Sequence, residues 1–181
     1  LDLVVAGGTV YDGSGGPPVR ADLGIADGLI RTIGRGGRSR AAAVIEADGL
    51  AVSPGFIDVH DHTDTGLLVN PRAESAVRQG VTTVVSGQCG GSPFPLTEEK
   101  AAEMRASLEK KYGLAAEWKD ITGFLAAIEK SGTALNYTTF VGNGTVRAAV
   151  MGYADRPVWT EKSRLGGVPD LPAERKEVLA R

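Results

Sequence analysis

The 181-residue chain is 42% hydrophobic and 23% charged, the balance of an ordinary globular protein rather than a disordered one. Its 20 basic and 22 acidic side chains are spread along the sequence for a formal charge of -2, which argues against a face for nucleic acid or anionic lipid. One cysteine excludes an intrachain disulfide, and no apolar run or basic leader points to a membrane, so the expected location is the cytoplasm.

Residues 1–53 read as a small β-domain of the sandwich type: short apolar stretches are separated by Gly, Asp and Pro. Leu23–Ala26 and Leu29–Ile33 flank Asp27-Gly28, a pair that tolerates the positive φ angles of a type I′ turn, so a hairpin is expected there. Arg35 to Arg40 reads as a solvated basic loop, and Val44–Ala47 before Asp48-Gly49 as the start of a second hairpin.

From residue 54 to 181 the rhythm becomes strand and helix in alternation, the pattern of βα units on a parallel sheet. The expected strands are Gly55 to His62, Val81 to Val85 and Leu135 to Val141. The expected helices are Pro71 to Gln79 with Asn70 as its cap, Thr97 to Tyr112, Ile121 to Ser131, and Leu171 to Arg181. Ala101, Met104, Ala106 and Leu108 mark the apolar side of the second helix, and Phe124, Leu125 and Ile128 that of the third. The chain opens on Leu1 rather than Met and stops inside its last expected helix, so neither end reads as a natural terminus.

The chemistry concentrates in Pro54-Gly55-Phe56-Ile57-Asp58-Val59-His60-Asp61-His62. Side chains two apart on a strand share a face, so His60 and His62 form a candidate chelate for a divalent ion, and Asp58 has the parity to orient an imidazole. They are the chain's two histidines; the bland alternative is a chance pair on a surface or in a core. Cys89 follows the second strand in a Gly-rich turn, where it is either a thiolate ligand or an inert buried thiol.

These residues resemble the metal-dependent amidohydrolases, whose first barrel strand carries "PGFID-x-H-x-H". The segment Gly80 to Pro93, GVTTVVSGQCGGSP, is similar to the cysteine segment of the N-acyl-D-amino-acid deacylases, the D-aminoacylase group. The resemblance implies an α/β fold: a small β-domain followed by the first three βα units of a distorted TIM barrel, incomplete because a barrel takes about 250 residues. It implies one or two divalent ions, Zn2+ foremost, held by His60, His62 and Cys89, and hydrolysis of N-acyl-D-amino acids or related small amides and D-dipeptides. Val141 to Arg147 is similar to "VGH-x-x-LR", with Asn143 in place of the histidine; Asn143 and Arg147 are candidate substrate contacts, although Arg147 reads equally as an ion-pair partner.

In the family the remaining histidine ligands, the general-base aspartate and the groups that hold the substrate carboxylate come from later strands. The expectation is therefore a chain inactive alone, completed by a C-terminal half or a second chain that covers the open edge of its parallel sheet. Three other readings stay open: a cyclic-amide hydrolase of the hydantoinase or dihydroorotase type, a deacylase of a specialised metabolite, and a non-catalytic structural half of a split enzyme or pseudoenzyme. The cysteine segment argues against the first, whose members carry a lysine ligand.

Overall fold

The computed structural model describes residues 1–152; the helix expected at 171–181 lies outside the described residues. The chain contacts divide into two units, Leu1–Gly55 and the residues from Phe56 onward.

The first unit is one five-stranded sheet: β1 (Leu3–Val10), β2 (Val19–Ala26), β3 (Leu29–Gly34), β4 (Ala43–Glu46) and β5 (Ala51–Val52). β2 and β3 form the expected antiparallel hairpin, and Asp27 and Gly28 turn at φ 54° and 71°, as a type I′ turn requires. The second expected hairpin does not form. β4 and β5 both pair with β1 in parallel, at Leu3–Ala6 and Thr9–Val10, so the Asp48-Gly49 turn is an excursion between two strands laid along one neighbour. β1 makes room for it with a bulge at Gly7 (φ 75°), and a Cβ at Gly8 would lie 2.5 Å from the Val52 side chain.

The sandwich expectation is corrected with it: every strand joins one hydrogen-bonded ladder around β1, and no second sheet forms among the described residues of this unit. The basic loop is also less free than its composition suggests. Arg38 pairs with Glu46 at 2.8 Å, and Asp22 accepts the backbone N–H groups of Gly7 (2.7 Å) and Gly36 (2.9 Å).

In the second unit three parallel strands, β6 (Phe56–Asp58), β7 (Val81–Ser86) and β8 (Asn136–Thr139), lie side by side in chain order. Helices fill the connections: α1 (Gly66–Val69) and α2 (Glu74–Val77), then α3 (Glu98–Tyr112) and α4 (Ile121–Ser131), with α5 (Asn143–Met151) after β8. The unit is thus α/β, as the alternating pattern implies.

The long helices start where their caps stand. Thr97 Oγ1 accepts from the Lys100 N–H and Asp120 Oδ1 from the Gly123 N–H, while Gly113 and Gly132 close the two C-termini in the left-handed conformation. Ala101 and Leu108 are buried on α3 and Phe124 and Ile128 on α4; Ala106 and Leu125 face outward, one position off each buried stripe.

The helix expected at Pro71 to Gln79 is corrected to two single turns. Leu67 and Leu68 bury early and form α1, Asn70 ends that turn instead of capping the next, and Ala73 at φ 44° breaks the chain before α2. The helix α5 is an element the sequence pattern did not single out.

The core gathers Leu67, Leu68, Val84, Phe94, Leu108, Trp118, Phe124, Ile128 and Leu135 between helices and sheet. Phe124 is fully buried at its centre, with the Trp118 and Phe94 rings at 5.0 and 5.6 Å between centroids. The Trp118 indole N–H donates to the Pro93 carbonyl at 2.7 Å, and the Leu96 N–H to the Lys119 carbonyl at 2.8 Å. These contacts pin the far end of the loop that follows β7.

Candidate metal centre

The candidate ligands come from the C-terminal ends of two adjacent parallel strands, where α/β proteins place their chemistry. β6 stops at Asp58, short of the expected strand to His62, because the chain leaves the ladder at Val59 and His60 and returns at Asp61, whose N–H donates to Val85 O at 3.1 Å. Gln88 Nε2 takes up the freed Val59 carbonyl at 2.9 Å. His60 and His62 therefore do not share a regular strand face, yet their ring centroids are 5.3 Å apart.

Cys89 sits at φ 54° just after β7, and that left-handed turn brings its thiol toward the first strand. Its Sγ is 3.3 Å from His60 Nε2. One ligand atom each from His60, His62 and Cys89 lies within 4.8 Å of the other two, and all three residues are exposed. On a tetrahedral zinc with bonds of about 2.0–2.3 Å, ligand atoms stand roughly 3.3–3.7 Å apart, so the His60–Cys89 pair already has that spacing and the widest pair needs about 1 Å of closure. Two imidazoles and a thiolate are a donor set that suits zinc, and the arrangement fits such an ion.

Asp58 does not face an imidazole: its Oδ1 accepts the backbone N–H of His60 at 3.1 Å and so shapes the main chain instead. The other two acids of the segment find partners on the neighbouring strands. Asp61 Oδ1 accepts from the Thr63 N–H at 2.6 Å, from the Thr63 hydroxyl, and from the fully buried Ser86 hydroxyl at 3.4 Å. Asp64 Oδ1 accepts from the Tyr137 hydroxyl at 3.0 Å. Burial holds the Asp64 carboxyl above its ordinary range, and burial pushes the Tyr137 phenol up to about 12. Sequence reading passed over Ser86 and Tyr137.

Asn143 is exposed at the first turn of α5 and lies against the cysteine loop, where a Cβ at Gly90 would come within 2.8 Å of its Oδ1. Arg147 is one turn further along, and its Nε is buried with no hydrogen-bond partner among the described residues. No carboxylate among the described residues pairs with it, so the ion-pair reading finds no support there.

No protein-family model matches the chain. D-aminoacylase of Alcaligenes xylosoxydans xylosoxydans is 37% identical over 174 residues, 96% of this chain and 35% of the enzyme. The chain is a homologue of the D-aminoacylases.

N-acyl-D-glutamate deacylase of the same organism is 38% identical to this chain over 153 residues, 83% of the chain and 30% of the relative. The chain thus spans about a third of the length of the curated relatives it matches. Among solved structures, a D-aminoacylase studied for its binuclear metal centre superposes with a TM-score of 0.70 at 38% identity, covering 83% of this chain and 31% of that one. The N-acyl-D-glutamate deacylase of Bordetella bronchiseptica, complexed with zinc and a phosphonate mimic of the tetrahedral intermediate, matches with the same figures. No helix among the described residues is long and apolar enough to cross a membrane.

Proposed function

We propose that the chain carries part of the metal centre of an amidohydrolase that hydrolyses the amide bond of N-acyl-D-amino acids or related small amides and D-dipeptides. The convergence of His60, His62 and Cys89 supports this reading most directly. We read the second unit as the opening βα units of the amidohydrolase barrel. The exposed apolar side chains Phe56, Ile57, Val59, Phe140 and Val141 on and beyond its strands are what further barrel strands would cover.

His60, His62 and Cys89 are the residues that hold the ion, Zn2+ in this reading. Bound there, a divalent ion supplies Lewis-acid polarisation of the amide carbonyl and acidifies a water for attack. Asp58 shapes the His60 main chain and Gln88 holds the Val59 turn, so the donors meet with little reorganisation. Asn143, beside the cysteine loop, offers an amide to the substrate, and Arg147 a guanidinium for its carboxylate. With histidines at positions 60 and 62 alone, the other imidazole ligands and the proton-transferring acid come from polypeptide other than residues 1–181, a C-terminal continuation or a second chain. A reducing compartment, the cytoplasm, keeps the Cys89 thiol free to ligate.

A native mass spectrum of the purified full chain, with and without zinc, tests the centre. One or two divalent ions per chain that disappear in the His60→Ala/His62→Ala double variant support it. Equal metal content in that variant overturns it. Co-purified or added partner polypeptide that confers release of free D-amino acid from N-acyl-D-amino acids extends the test to the reaction.

A further inference from the structure

The turn that carries the candidate histidines is fastened from beneath at two points. Asp61, between the histidines, is held against β7 by the buried Ser86 hydroxyl, and Asp64, two residues after His62, is held against β8 by Tyr137. Tyr137 itself is half-buried, edge-on to Phe124 at 5.8 Å between centroids, and opposite Val84 in the sheet register. Its hydroxyl therefore stands on one of the best-packed parts of the unit. The turn above it consists of residues 61–65, irregular backbone between the end of β6 and the start of α1.

We infer that Tyr137, acting through Asp64, is a positioning residue for His62: its hydroxyl ties the 61–65 turn to β8 and so fixes where the imidazole pair meets the Cys89 thiol. This rests on the metal-centre reading above. The argument is one of geometry. His62 is flanked by two carboxylates, Asp61 bonded to Ser86 of β7 and Asp64 bonded to Tyr137 of β8. With Asp61 alone, the turn is held against β7 only, through the Ser86 hydroxyl and the Asp61 N–H on Val85 O. With both, its position over the two strands is set. The phenol suits the task, since burial pushes its pKa up to about 12 and it stays a donor at neutral pH. Groups that orient metal ligands from behind are worth about 10–100-fold in metal affinity.

The test uses the full chain and reads metal affinity rather than turnover. Zinc dissociation constants come from competition with a chromophoric chelator, and the Co2+-substituted chain reports the Cys89 thiolate through its sulfur-to-cobalt charge-transfer band. Tyr137→Phe is expected to weaken zinc about tenfold and to alter that band, with far-ultraviolet circular dichroism as in the parent. Asp64→Ala is expected to do the same, while Asp64→Asn, whose amide oxygen still accepts from the phenol, retains the parent affinity. Unchanged affinity and spectrum in both Tyr137→Phe and Asp64→Ala overturn the tether. If Tyr137→Phe fails to fold, the contrast between Asp64→Ala and Asp64→Asn decides alone. A parent chain that takes up no zinc removes the centre and the tether together, whereas a parent that binds zinc beside insensitive variants removes only the tether.

Discussion

Gly142, at the head of α5, approaches the cysteine loop so closely that a Cβ there would lie 2.5 Å from the carbonyl oxygen of Gly90. The contact is backbone on backbone, and it is locked by the Gly142 N–H donating to Ser92 Oγ at 2.9 Å and the Thr145 N–H to Gly90 O at 3.2 Å. The loop cannot yield without moving Cys89, which is next to Gly90 in the chain.

Gly142→Ala is therefore expected to destabilise the chain by about 1–3 kcal/mol, the range for overpacking a tight contact. It is also expected to weaken zinc binding, because the added methyl displaces the loop that carries the thiol. Urea unfolding and chelator competition on the same variant check both effects; wild-type zinc affinity with lowered stability would separate the loop packing from the thiol position.

The aromatic cluster predicts a sharp contrast between neighbours. Phe124→Ala empties the centre of the helix-sheet core and is expected to cost about 3–5 kcal/mol, whereas Leu125→Ala, at a side chain 38% exposed, changes stability by roughly 0.5 kcal/mol or less. Equilibrium denaturation of the two variants side by side measures the difference.

Each long helix has one side-chain cap. Thr97→Ala and Asp120→Ala are each expected to cost about 1 kcal/mol, and the double variant is expected to depart from the simple sum, since the Leu96–Lys119 backbone bond and the Lys119–Glu98 ion pair join the two helix starts. A double variant that loses far more than the sum would show that α3 and α4 form as one unit.

The pH dependence of the first unit turns on Asp22. Its carboxylate accepts two backbone N–H groups, from Gly36 and Gly7, and these hold its pKa below the ordinary 3.8. A depressed acid stabilises the folded state above the unfolded value and loses that contribution as pH falls through the folded one. The stability gap between the parent and Asp22→Asn is thus expected to be constant above about pH 5 and to shrink below 3.8, as read from urea midpoints at successive pH values.

The legibility of this fold in its sequence follows the range of the interactions. Helices α3 and α4 were readable to within a residue because their caps and closing glycines are local, and the β2–β3 hairpin was readable because Asp27-Gly28 dictates its own turn. The partner of β4 was not readable, since Asp48-Gly49 looks the same whether the next strand folds back or continues along β1. The grouping of His60, His62 and Cys89 was expected from the strand motif and the family resemblance, and the three do converge, but strand parity was the wrong reason for the histidine pair, because the chain leaves β6 before reaching it. Tyr137 stayed hidden because its role depends on a hydrogen bond 73 positions away in the chain.

Cys89 is the sole cysteine of the sequence, and it is exposed. The molecule therefore carries an occupancy gauge for the proposed centre: a maleimide has one thiol to find, and the fraction that added zinc shields from alkylation would count filled centres chain by chain. That count needs no substrate.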